Sequence, residues 1–230
     1  MAAHSSAKSA QVFDIFSGKM LDKGYDKRII RLTPELDSLG MLYGNDSNPG
    51  KLYSMKIIAW GLQANGEVVG LVPWLNRIMP CPDLKDPLNG HWEGYYDANS
   101  SDVFYEAPEH KRLELESGSQ FYPAPERLSN KVVQEIPDSI GTHAIMADRI
   151  NKKFIVHEVF SWRLTARGEI LGMCIDHDRV VNTPVLLGDS ALYPAQQEED
   201  FKYFFQYKIA NKLKEDDPEA LEAIAHLIDF

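Results

Sequence analysis

The residues best suited to chemistry sit in two short runs, His157-Glu158 and Asp176-His177-Asp178. The stretch between them is rich in Val, Ile, Phe and Trp and breaks at Ala166-Arg167-Gly168. Those three residues suit a three-residue hairpin loop, with glycine in the left-handed position that other residues resist. The register that follows sets Trp162 against Gly172, Glu158 against Asp176 and His157 against His177. Asp178 falls on the face of the two acids. Carboxylates directly across a ladder repel, so the pattern asks for compensation. A divalent cation such as Mg²⁺ or Ca²⁺, held by Glu158, Asp176 and Asp178, would supply it. A shared proton would instead make Glu158 and Asp176 a catalytic acid and base. His157 and His177 would suit a transition metal with a third ligand from elsewhere. The plain alternative is that the strands end here, the pairs splay, and Arg179 or Lys152 neutralises exposed acids.

A second group is aromatic: His91-Trp92-Glu93-Gly94-Tyr95-Tyr96. It falls in a stretch with Pro80, Pro82, Pro87 and Gly90, which reads as a long structured loop. His91, Trp92, Tyr95 and Tyr96 either line a binding surface or cap the core. The two cysteines offer less. Cys81 lies between Pro80 and Pro82 with no helix start or neighbouring histidine to activate it, and Cys174 falls inside the second hairpin. No GxGxxG, P-loop or GxSxG pattern occurs, so the common nucleotide and serine-hydrolase signals are absent.

The elements that must position these groups repeat. Residues 57–77 (IIAWGLQANGEVVGLVPWLNR) align without a gap on residues 159–179 (VFSWRLTARGEILGMCIDHDR), 102 positions on, with seven of 21 residues identical. Trp60 and Gly70 answer to Trp162 and Gly172, and in each hairpin an indole lies over a bare glycine across the ladder. The reading is an internal duplication. Its two hairpins build antiparallel sheets. From Glu198 to Leu213, Phe201, Phe204, Phe205, Ile209 and Leu213 follow helical spacing, and Ala220–Ile228 reads as a second helix. The expected class is therefore α+β, with C-terminal helices packed on the two related hairpins. Expected divisions are an arm over 1–24, a first repeat unit over 25–135 with a loop-rich insertion near 85–125, a second over 136–195, and helices over 196–230. No Gly/Ser linker separates the copies, so one compact fused unit is expected.

Composition narrows the function. The chain of 230 residues carries 34 acids against 24 bases, a net charge of -10. Such a balance disfavours nucleic acid and anionic membranes as partners. The acidity concentrates in residues 93–116 and 198–230, each with a net charge of -5. The longest apolar run, Val68 to Leu75, is far short of the roughly 20 residues that span a bilayer. No apolar signal segment opens the sequence and cysteine is sparse, so a cytoplasmic address is expected. The leading expectation is a soluble acidic protein that binds a protein or small-molecule partner through its aromatic loops and acidic surfaces. A metal-assisted hydrolase centred on the second hairpin is the alternative, and an oligomeric scaffold, as a homo-oligomer, the third. A divalent metal is the one cofactor with residues to suit it.

Overall fold

The computed structural model describes residues 12–13, 20–21, 26–44, 46, 49–86, 90–117, 129–148, 153–175 and 192–206. At the start, β1 (Val12–Phe13) pairs with β2 (Met20–Leu21). The first unit follows: β3 (Ile29–Pro34), β4 (Leu39–Gly44), β5 (Leu52–Lys56), β6 (Ala59–Gln63), β7 (Val68–Trp74), β8 (Arg77–Pro80), β9 (Lys85–Asp86), β10 (Gly90–Asp97) and β11 (Val103–Phe104). Its helix is α1 (Glu109–Glu116). The second unit comprises β12 (Val132–Pro137), β13 (Thr142–Asp148), β14 (Lys153–Thr165), β15 (Ile170–Ile175), β16 (Leu192–Pro194) and β17 (Phe201–Gln206).

All pairing within these sheets is antiparallel. The first unit has the orders β3-β6-β7-β8 and β11-β10-β4-β5, and the second has β16-β15-β14-β13-β17 with β12 beside β14. Only Ile57 and Ile58 separate β5 from β6, so one bent segment serves both sheets of the first unit; β14 does the same work as a single strand of 13 residues. Both hairpins have the expected register at their centre, with Trp60 opposite Gly70 and Trp162 opposite Gly172. The turn glycines, Gly66 and Gly168, have φ of 92° and 87°, which an L side chain resists.

The long apolar reading of β6 and β7 has a physical cause: they are buried on both faces. Trp60, Leu62, Val72 and Trp74 turn into a core proper to the first unit. Ala59, Val69 and Leu71 turn the other way, into a second core shared with Ile136, Val159, Trp162 and Phe204. The two units are thus packed on one another through a common apolar layer. Two glutamines stitch its edges. Gln134 accepts from the Leu32 N–H (2.8 Å) and donates to the Leu32 carbonyl (2.7 Å), and Gln206 does the same to Lys56 at 3.1 and 3.0 Å. Each side-chain amide stands in for the peptide group of a neighbouring strand.

Two expectations need correction. The fold is mostly antiparallel β-sheet rather than α+β with C-terminal helices. Phe201, Phe204 and Phe205 belong to β17, which pairs with β13. Their helix-like spacing arises because both faces of the strand are apolar: Phe204 enters the shared core, and Phe205 packs on Ile145 on the opposite side. Residues 207–230, which hold the rest of the expected helices, lie outside the described residues. The aromatic stretch at 91–96 is also not a loop but the body of β10. The one described α-helix lies instead in the acidic insertion. Pro108 precedes it, Lys111 and Leu115 are its buried positions, and Arg31 closes its far end by donating to the Leu115 carbonyl at 2.8 Å.

Candidate ligand cleft

Of the aromatic group, the structure brings Trp92 and Tyr95 together and places His91 and Tyr96 apart from them. A bulge between Trp92 and Gly94 shifts the pairing of β10 with β4. It lets residues three apart share a face, so the Trp92 and Tyr95 rings lie 5.3 Å apart at 60°. His91, on the alternate face, pairs with Glu93 at 2.8 Å. Tyr96, next to Tyr95, also points away from it. From Trp92 the aromatic chain runs both ways. Tyr105 lies 6.0 Å out toward solvent, and Trp60 lies 4.8 Å inward from Tyr95. The Tyr95 hydroxyl accepts a hydrogen bond from the Gly70 N–H at 3.0 Å. Burial pushes its phenol far above the usual range, so it stays neutral.

Trp92, Tyr95 and Tyr105 form one wall of an open cleft of about 460 Å³. The hairpin supplies Gln63, Glu67 and Val68, the turn after β8 supplies Pro82 and Asp83, and the insertion supplies Tyr105, Glu106 and Arg112. Lys27 and Asp83 pair at 2.6 Å on its rim, and that hydrogen bond raises the lysine pKa. Two polar atoms in this wall are buried without a partner: the Gln63 Oε1 and the Trp92 Nε1. Gln63 is only 1% exposed. One is an acceptor and the other a donor.

Beneath the cleft lies a buried charge network. Glu35 accepts from the Trp60 indole (2.5 Å) and from the amides of Asp37 and Leu39. Lys111 reaches Glu35 at 3.9 Å and Asp37 at 3.1 Å. Hydrogen bonds from His110 and then Lys111 hold the Asp37 carboxyl below its ordinary value. The cysteines are free and fully buried, and desolvation pushes both thiols up, Cys174 to about 12. Neither is a nucleophile at neutral pH.

The expected metal cluster is only half visible. Glu158 lies in β14 opposite His143, and His157 makes an edge contact with Tyr193 at 6.0 Å. A bulge between Val159 and Ser161 moves the hairpin register by one, so Val159 faces Cys174. Asp176, His177 and Asp178 lie outside the described residues. Among the described residues no group of three His, Cys, Asp or Glu side chains could hold a metal ion, and no helix is long and apolar enough to cross a membrane.

Sequence reasoning missed Gln63, Lys27, Tyr105, Glu106 and Arg112. Gln63 had a signal, as a polar residue closing a strand that is otherwise apolar on both faces. The others come from turns and from the insertion, where no periodicity marks them. Comparison with family models, with curated proteins and with solved structures found no match.

Proposed function

We propose that this chain is a binding protein and that its ligand seat is the cleft between the first hairpin, β10 and the insertion. The observation that carries the reading is the pair of buried, unpartnered atoms in the cleft wall, Gln63 Oε1 and Trp92 Nε1. Leaving one such atom unmet costs about 1–3 kcal/mol. A ligand that donates to Gln63 and accepts from Trp92, with a turn of either side chain to meet it, repairs both. That complement describes a planar carboxamide or lactam, for which Trp92 and Tyr105 offer ring surface. The cleft volume suits a small organic ligand. No activated nucleophile among the described cleft residues argues for chemistry instead.

The arrangement is read as two copies of one duplicated unit, of which the first carries the seat. Recurrence of the Trp–Gly hairpin, of the acid at the corner before it and of the aromatic ring beneath the indole supports this. Two reduced, buried thiols support a cytoplasmic setting.

The test uses benzamide and 2-pyridone as probes, titrated into the wild type and into Gln63→Leu. Saturable binding to the wild type, weakened about tenfold or more in the variant, is expected from loss of one specific hydrogen bond to a buried group. Equal binding to both proteins, or to neither, would remove the cleft as the seat.

A further inference from the structure

A second opening, of about 510 Å³, lies where the two units meet. From the first unit come Arg28, Asn76 and Arg77, and from the second Gly168, Glu169 and Gln197. Arg28 is its unusual member. Its side chain is only 12% exposed, and its stem is laid across the second hairpin turn. A Cβ on Gly168 would overlap the Arg28 Cγ and lie 3.1 Å from the Ile29 carbonyl oxygen, so the fit needs glycine there. Asp26 meets only one corner of the guanidinium, with Nη2 at 3.5 Å. Nε and Nη1 are buried and have no partner.

A guanidinium is always charged and carries five donors, so two unmet ones shut away from water, on a residue that lines an opening, are an unbalanced feature. The neighbouring acids do not fill those two donors. Lys27 and Asp83 neutralise one another at 2.6 Å. Arg28 and Arg77 then face Asp26 and Glu169, so the charges balance in number and the two unmet donors of Arg28 carry the case. Neutral donors are also at hand, since Asn76 and Gln197 line the same opening. Gln196 is not among them, because it is committed to the Gly172 N–H and the Ile170 carbonyl.

We propose that the seam between the units is a seat for an oxyanion group, phosphate or carboxylate, with Arg28 as its anchor and Arg77 at its mouth. Charge-assisted hydrogen bonds from arginine to such groups are the strongest that neutral-pH side chains make. The site is composite: the first unit supplies the charge, and the second holds the arginine stem in place through the Gly168 turn. It is independent of the aromatic cleft, from which it is separated by the Lys27–Asp83 pair that borders both openings.

Calorimetric titration of the full chain with inorganic phosphate and with acetate, at ionic strength fixed by sodium chloride, tests this. Saturable binding of at least one is expected, and the tighter of the two names the group that the natural ligand carries. Arg28→Gln should abolish it, and the surface change Arg77→Gln should weaken it about threefold to tenfold. Leu113→Ala, on the exposed face of α1, should leave it unchanged. No saturable heat from either anion overturns the proposal, and so does wild-type affinity in Arg77→Gln together with Arg28→Gln. If Arg28→Gln fails to fold, Arg77→Gln decides alone.

Discussion

Glu35 and Asp138 stand at the corners of the two units, and each accepts a hydrogen bond from the buried indole of its own hairpin, Trp60 or Trp162. Each also gathers backbone amides of its corner, Asp138 taking those of Gly141 and Thr142 at 2.8 Å. Beyond that they differ. Glu35 is sealed from water and lies near Lys111 of α1, while Asp138 is half-buried and, among the described residues, has no cation beside it. The hairpin ends differ in the same way. Gln63 and Thr165 occupy the same turn position, each giving its N–H to the carbonyl four residues on. The Thr165 hydroxyl also accepts from the Glu169 N–H at 3.2 Å, whereas the Gln63 oxygen has no partner. Positions that recur are satisfied internally, and the unsatisfied groups stand where the units diverge. Under the proposed duplication, we read this contrast as a common scaffold with a site added to one copy.

The largest test of this contrast is Lys111→Met. Removing the cation beside a buried carboxylate should destabilise the protein by about 3–5 kcal/mol in denaturant unfolding. A small loss would mean that the hydrogen bonds to Glu35 suffice by themselves, as those to Asp138 do. Next come the turn glycines. Gly66→Ala should cost about 1–2 kcal/mol for its positive φ, because nothing lies within 4 Å of the added Cβ. Gly168→Ala should cost about 1–3 kcal/mol more, since Arg28 and Ile29 of the other unit press on that position. Equal costs would separate the two units at the seam.

The third test has opposite signs in the two hairpins. Gln63→Leu removes an unmet acceptor and should raise stability by about 1 kcal/mol while losing the probe. Thr165→Val removes a met one and should lower stability by about 1 kcal/mol. The smallest effect is electrostatic. The Asp37 pKa is depressed in the folded state, so its contribution is present above the unfolded carboxylate pKa. It is lost as pH falls through the folded value. Asp37→Asn should flatten that acidic limb of a stability profile and leave the neutral limb unchanged in slope.

The sequence carried much of the scaffold and little of the site. The Trp–Gly register was readable because a glycine turn and an ungapped alignment fix it. The correspondence stopped at the hairpins because the corner before them differs in length: Pro34 to Gly40 spans two residues more than Pro137 to Gly141. In β17, phenylalanines on both faces imitate the spacing of one helical face. Trp92 and Tyr95 were readable as aromatic residues of interest, but the bulge that joins them is a backbone feature with only Gly94 to announce it. Lys27, Tyr105 and Arg112 are near the cleft only because the chain returns to it, and no local spacing encodes that.

The central claim is that the first unit binds through Gln63 and Trp92 while the matching scaffold of the second does not. Four tryptophans give four indole N–H resonances, which report on each unit separately. Those of Trp60 and Trp162 are hydrogen-bonded to carboxylates and serve as internal references. Titration with benzamide, followed by ¹H–¹⁵N correlation spectra, should shift the Trp92 indole progressively to saturation and leave that of Trp162 in place. A Trp92 resonance that stays put, or a shift centred on Trp162, would contradict the account.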